Sequence, residues 1–140
     1  MNDDDSANDL KGTKMYKRAL RDLRNLELDK GYAKAWRHAD PCLDLVSAIA
    51  ESPQSVDKSS LVEEGIPEKL LEIIEHCCKQ DDQAFIDEPE LLTLLDGTMK
   101  AVESMKNDPM LCRQLVKANA FERLGEAISR MAELKENKEF

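Results

Sequence analysis

The chain repeats itself. A shift of 54 residues lays SVDKSSLVEEGIPEKLLEIIEHCC (Ser55–Cys78) on PMLCRQLVKANAFERLGEAISRMA (Pro109–Ala132), with no gap over 24 positions. Leu61-Val62 falls on Leu115-Val116, Leu70 on Leu124, and Glu68, Glu72 and Ile74 on Glu122, Glu126 and Ile128. Both copies carry a hinge at the same place, Gly65-Ile66 in the first and Asn119-Ala120 in the second. Gly and Asn enter left-handed backbone conformations more cheaply than other residues, so the alignment predicts the same sharp turn between two helices in each copy. A repeat of this kind cannot bury its hydrophobic face alone, and a continuous core forms only when copies stack.

Apolar residues elsewhere recur at three- and four-residue steps, the spacing of a helix face. Tyr16, Ala19, Leu20, Leu23 and Leu26 mark a helix over 13–29, with Lys17, Arg18, Arg21 and Arg24 on its other side and Lys30-Gly31 as its stop signal. A shorter helix, Tyr32 to His38, carries the single Trp, Trp36. Asp40-Pro41 and Asp108-Pro109 place a capping Asp before a Pro at the first helical position, and Asp87-Glu88-Pro89 can do the same. Helices are therefore expected at 41–51, 55–64, 67–79, 89–106, 109–117 and 120–135. Lys79 to Asp87 reads as a mobile loop with Phe85 and Ile86 as possible anchors, and no stretch alternates long enough to form a strand. The expected organisation is a disordered acidic tail over 1–12, which holds four Asp, followed by one all-α domain over 13–140.

Charge narrows the possible partners. With 29 carboxylates against 20 Lys and Arg the formal charge is -9, a field that repels phosphate backbones and anionic membranes. No nucleic-acid or membrane partner is expected. No apolar run reaches the length of a membrane span, and the acidic start MNDDDSAND is unlike a signal peptide. A cytoplasmic location is expected, with the nucleus open. Cys42, Cys77, Cys78 and Cys112 then read as reduced thiols lying inside helical patterns, buried and inert.

The run LVEEGIPEKLLEII resembles an armadillo repeat: a short first helix ending in a hydrophobic pair, a Gly turn, Ile-Pro, then a longer second helix. CLDLVSAIAESPQSV resembles the third helix of a preceding repeat entering the next first helix. LLTLLDGTMKAVESMKNDPMLCRQLV resembles the same junction one repeat later. The resemblance covers about Pro41 to Ala132 and implies a short right-handed α-solenoid superhelix of about two repeats, capped by the amino-terminal helices. HEAT-type repeats share much of the pattern. The period exceeds the usual forty-odd residues, and the Lys79–Asp87 insertion accounts for the excess. The plain alternative is a non-repetitive helical bundle with two similar hairpins. A second echo, LELDKGYAKAWRHA, resembles the helix-turn-helix junction of a tetratricopeptide repeat, without its turn Pro and without a 34-residue period upstream.

The resemblance implies a protein-interaction module, a scaffold or adaptor and not an enzyme. Regulation of a small GTPase, or service as a chaperone or motor adaptor, are roles the same fold fills, and fold analogy cannot choose among them. Peptide-binding armadillo proteins use an Asn ladder on their third helices; Ala48 and Ala101 stand at those positions here, which places an extended-peptide groove in doubt. The groove-lining polar positions are Asp44, Ser47 and Glu51, then Asp96, Lys100 and Glu103, a mildly acidic face suited to a basic or amphipathic helical partner. They can equally be ordinary solvated residues. The basic stripe of Lys17, Arg21 and Arg24 is a secondary docking face: it packs on an acidic surface of this chain or docks one on a partner. Self-association through uncapped repeat ends is a further possibility.

Catalytic and metal signatures are sparse. The five Gly are scattered, so no phosphate loop can form. His38 and His76 are the two imidazoles. A small helical metal-binding protein remains the weakest alternative, because zinc needs three or four converging ligands and Pro41 is expected to break any helix that would set His38 and Cys42 on one face. Neighbouring His76, Cys77 and Cys78 point apart on a helix and do not form a nucleophile–base pair. Asp81-Asp82 and Asp87-Glu88-Pro89-Glu90 lack the Gly and alternating ligands of a calcium loop. No cofactor is expected.

Overall fold

The computed structural model describes residues 17–52 and 55–136, and every regular element among them is a helix. Helix α1 covers 17–24; the others are α2 (Tyr32–Glu51), α3 (Ser55–Glu63), α4 (Ile66–Cys78), α5 (Asp82–Asp87), α6 (Pro89–Lys106), α7 (Pro109–Lys117) and α8 (Ala120–Glu136). The expected acidic tail lies outside the described residues.

The hinge of the repeat forms as the two copies demand. Gly65 has φ 67° and Asn119 has φ 60°, both left-handed. The hydrogen bonds around them are the same at the 54-residue offset: Gly65 N donates to Val62 O at 3.1 Å and Asn119 N to Val116 O at 3.0 Å. Lys69 N donates to Gly65 O at 3.1 Å, and Arg123 N to Asn119 O at 3.2 Å.

Helices one repeat apart pack on one another. Helix α2 packs along α6, α3 meets α7, and α4 meets α8, while α4 also packs on α6 between the two layers. Leu61, Ile66, Leu70, Leu71, Ile73 and Ile74 are fully buried in the first copy, and Leu91, Leu94, Leu95 and Met105 on α6 close over them. Each such side chain contributes about 1.5–3 kcal/mol by leaving water. On α6, Gly97 lets the Trp36 ring lie close, since a Cβ there would stand 2.9 Å from Trp36 Cζ3.

Several expected boundaries move. Tyr32–Glu51 is one helix with Pro41 inside it, not two helices broken at Asp40-Pro41. Its buried residues Tyr32, Ala35, Ala39, Cys42, Leu43, Val46 and Ile49 form one unbroken stripe through the Pro, and Pro41 itself is exposed. Packing against α6 outweighs the lost N–H, and the solvent face leaves the freed carbonyl open to water. Of the three expected Asp caps, Asp108 forms, accepting from Leu111 N at 3.0 Å. Asp40 lies within α2, and the cap residue of α6 is Glu88, which makes no side-chain capping bond.

The segment read as a loop contains α5. Asp81 caps it by accepting from Ala84 N at 2.9 Å, and Phe85 is buried as its anchor, while Ile86 is exposed. The first helix stops at residue 24 and not near Lys30. A turn over 25–31 instead partly buries Leu26 and Leu28 against the core and leads to Gly31 at φ 112°, outside the range open to most residues.

Candidate functional site

The candidate sites are surfaces, and the first is already occupied by the chain itself. Arg21 Nε and Arg24 Nη1 bond the two carboxylate oxygens of Glu64 at 3.3 and 2.9 Å. Glu64 is buried at the end of the first copy's hinge, so two of the three proposed basic docking residues act as an internal tether of α1. Leu20 and Leu23 are buried beneath it, and Lys69 Nζ donates to Leu26 O at 3.2 Å. Lys17 is half-buried, and α1 is held at the first copy's hinge.

On α2 and α6 the burial patterns coincide at an offset of 52, with Cys42, Leu43, Val46 and Ile49 answering to Leu94, Leu95, Thr98 and Ala101. That register pairs Asp44 with Asp96 and Glu51 with Glu103, so these four groove-lining positions are equivalent on the two helices, whereas Ser47 answers to Met99 and not to Lys100. It also corrects the ladder alignment: Ala48 is exposed and answers to Lys100, whereas Ala101 is in the core. The two Ala do not share a face, because the helix-three register differs from that of the hinge. The acidity of the α6 half is offset within the helix. Asp96 pairs with Lys100 at 3.0 Å and Glu103 with Lys106 at 3.5 Å. Asp44 and Glu51 are exposed, and Ser47 is half-buried.

The second surface was not legible as a site. Between α6, α7 and α8 lies a groove of about 590 Å³, bordered by Asp96, Lys100 and Glu103 and floored by Met99, Val102, Leu115 and Leu124. Its α8 wall carries Phe121 and Ile128, exposed by 76% and 59%, with Val116 of α7 exposed by 50%. The sequence signal was the repeat itself. Ile128 answers to Ile74, which is fully buried in the first copy, where the second copy covers it. Among the described residues, none packs over Phe121 and Ile128 to the same extent.

Cations on both copies join the layers. Arg123 Nη1 bonds Glu68 at 3.0 Å and the Ala118 carbonyl at 3.0 Å, and its Nη2 bonds Glu75. Lys58 Nζ bonds the cap Asp108 at 2.7 Å. Arg130 bonds Asp82 at 2.7 Å and the Gln80 carbonyl at 2.9 Å, with its guanidinium over the Phe85 ring, and so ties α5 to α8.

The thiols and imidazoles are held by the core. Cys77 is fully buried, and burial pushes its thiol up to about 12; burial also raises Cys42 and Cys78. The inert reading therefore fits Cys42 and Cys77, while Cys78 and Cys112 are half-buried. His76 Nε2 meets Tyr32 Oη at 2.9 Å, and burial, its largest cause, pushes that phenol up to about 12. The continuity of α2 corrects the helix-break argument, because His38 and Cys42 lie one turn apart on the same helix. Cys42 is buried and His38 exposed, and among the described residues no group of three or more His, Cys, Asp and Glu could hold a metal ion. Nor is any helix among them long and apolar enough to cross a membrane. The chain matches no protein family, no curated protein and no solved structure.

Proposed function

We propose that this chain is a protein-interaction module without catalytic activity, a scaffold or adaptor built as a short armadillo-like stack. One observation carries the reading: α2 on α6, α3 on α7 and α4 on α8 pair helices of successive layers, with the same left-handed hinge in both copies. Stacked repeats present extended, stiff surfaces, and the role of such surfaces is recognition. A right-handed superhelix follows from the same reading. The α2–α6 face offers Asp44, Ser47, Glu51, Asp96, Lys100 and Glu103 to a basic or amphipathic helical partner. Its charge acts mainly on association rate and specificity.

Affinity capture from cell lysate with mass spectrometry, run for the native chain beside Glu51→Lys/Glu103→Lys, tests this. The expected result is a partner set that the native chain retains and the reversed variant recovers poorly, with the difference shrinking as salt rises. Recovery of nothing above a blank matrix overturns the module reading. Equal recovery by both proteins removes the α2–α6 face from it.

A further inference from the structure

The 54-residue offset also lays His76 on Arg130. Each stands in the later part of the second helix of its copy, and each reaches the connection that leads into the long helix of the layer before. His76 Nε2 meets the Oη of Tyr32, the first residue of α2, at 2.9 Å, and its ring borders the turn residues 26–30. Arg130 holds the connection into α6, residues 79–88, with more bonds. Its Nη2 bonds Asp82 at 2.7 Å and donates to the Gln80 carbonyl at 2.9 Å, and its guanidinium carbon lies 5.4 Å from the centre of the Phe85 ring. Glu133, three residues further along α8, holds Nη1 at 3.3 Å. The guanidinium is thus fixed to α8 on one side while it grips the connection on the other.

We infer that residues 79–88 form a strap that opens as a unit while the stack stays folded, with Arg130 as its latch. The strap is lightly seated. Its helix α5 has six residues, far below the roughly 12–15 that an isolated helix needs in water. Phe85 is its buried anchor, whereas Asp81, Asp82, Gln83, Ile86 and Asp87 are exposed. Charge works against closure. Asp81, Asp82, Asp87, Glu88 and Glu90 gather five carboxylates in ten residues with no cation among them, and like charges a turn apart destabilise a helix. The offsetting charge comes from α8, through Arg130. Segments with few buried apolar residues and exposed backbone bonds open at the low end of a protein's range of local stabilities. Lifting the strap bares the apolar seat that Phe85 fills. It also widens the adjoining cavity of about 370 Å³ between α4 and α8, whose walls include Lys79 and Arg130. The strap therefore controls access to the side of the stack, whatever the chain recognises.

Amide hydrogen exchange of the full chain, read residue by residue by NMR, tests this. The reporters are the Ala84 and Glu88 amides, whose acceptors, the Asp81 side chain and the Ala84 carbonyl, lie within the strap. In the native chain their protection should be at least ~tenfold lower than that of the Leu70 and Ile74 amides of α4, as a sub-global opening requires. Arg130→Ala should lower reporter protection by a further ~tenfold or more, since it removes hydrogen bonds made by a charged group. Asp82→Asn, at an exposed position, removes the charge of one partner and should lower it severalfold, which keeps the latch testable if Arg130→Ala folds poorly. Arg123→Ala supplies the contrast. Its bonds to Glu68 and Glu75 break only when the layers separate, so it should lower protection in α4 and leave the reporters unchanged. Reporter protection equal to that of α4 in the native chain overturns the proposal, because the segment then opens only with the whole molecule. So does a matching loss at the reporters and in α4 on Arg123→Ala. Reporters that ignore both Arg130→Ala and Asp82→Asn remove the latch and overturn it as well.

Discussion

Lys69 and Arg123 hold the same position in successive copies, and each crosses a layer boundary to the layer before it: Lys69 to the Leu26 carbonyl, Arg123 to Glu68 and Glu75. The boundary at Arg123 is the more strongly bonded, with two carboxylates of the layer before on one guanidinium. Arg123→Ala should lower stability by about 1–3 kcal/mol, the range for hydrogen bonds to charged groups. Lys69→Ala, which loses one bond to a neutral carbonyl, should lower it by about 1 kcal/mol or less. Urea unfolding of the two variants side by side measures the difference.

The same bonds set an acid limit. The Arg123 hydrogen bond, ahead of its charge, holds Glu75 below the ordinary value of 4.5. The Lys58 hydrogen bond, followed by the Leu111 amide, holds Asp108 below 3.8. A carboxylate depressed on folding contributes stability that is present above its unfolded value and lost as pH falls through its folded value. Urea midpoints should therefore hold from neutrality down to about the ordinary carboxylate values and then decline. In Arg123→Ala the decline should be shallower, since Glu75 no longer contributes to it.

Pro41→Ala should stabilise the chain by about 1–2 kcal/mol. It restores a backbone donor on the exposed face of α2 and loses part of the gain to a freer unfolded chain. A lower Tm would mean that the bonding around Arg37 and Pro41 does something the continuous stripe does not require.

Gly97→Ala sets a gain in helix propensity of about 0.5–1 kcal/mol against a methyl 2.9 Å from Trp36 Cζ3 and 3.0 Å from Cη2. Overpacking of this kind costs about 1–3 kcal/mol, so the net effect should be a loss. Trp36 is the single Trp, and its fluorescence should report the displaced ring directly.

At the hinges, Asn119→Gly should be neutral or slightly stabilising, and Gly65→Ala should cost about 1–2 kcal/mol, the price of a left-handed residue with a Cβ. Thermal unfolding of both separates this backbone effect from packing, because a Cβ at Gly65 meets nothing within 4 Å.

The hinges were legible because Gly65 and Asn119 announce a local conformation and the repeat shows it twice. Pro41 was misread for a related reason. A local rule places Pro at a helix start, but the apolar stripe from Tyr32 to Ile49 runs through it, and packing on α6 decided the outcome. No local pattern could join Arg21 and Arg24 to Glu64, since the tether spans the chain and depends on the stack already being formed. The exposed Phe121 was hidden differently. Its place in an amphipathic helix resembles a core position, yet among the described residues little packs over it.

The seating of α1 on Glu64 also bears on how two copies could meet. Open-ended assembly needs a heterologous contact, in which one end of each molecule meets the opposite end of the next. Glu64 is already held by Arg21 and Arg24, and Leu20 and Leu23 already cover the first layer. A head-to-tail contact between copies at this surface would first have to displace Arg21 and Arg24 from Glu64.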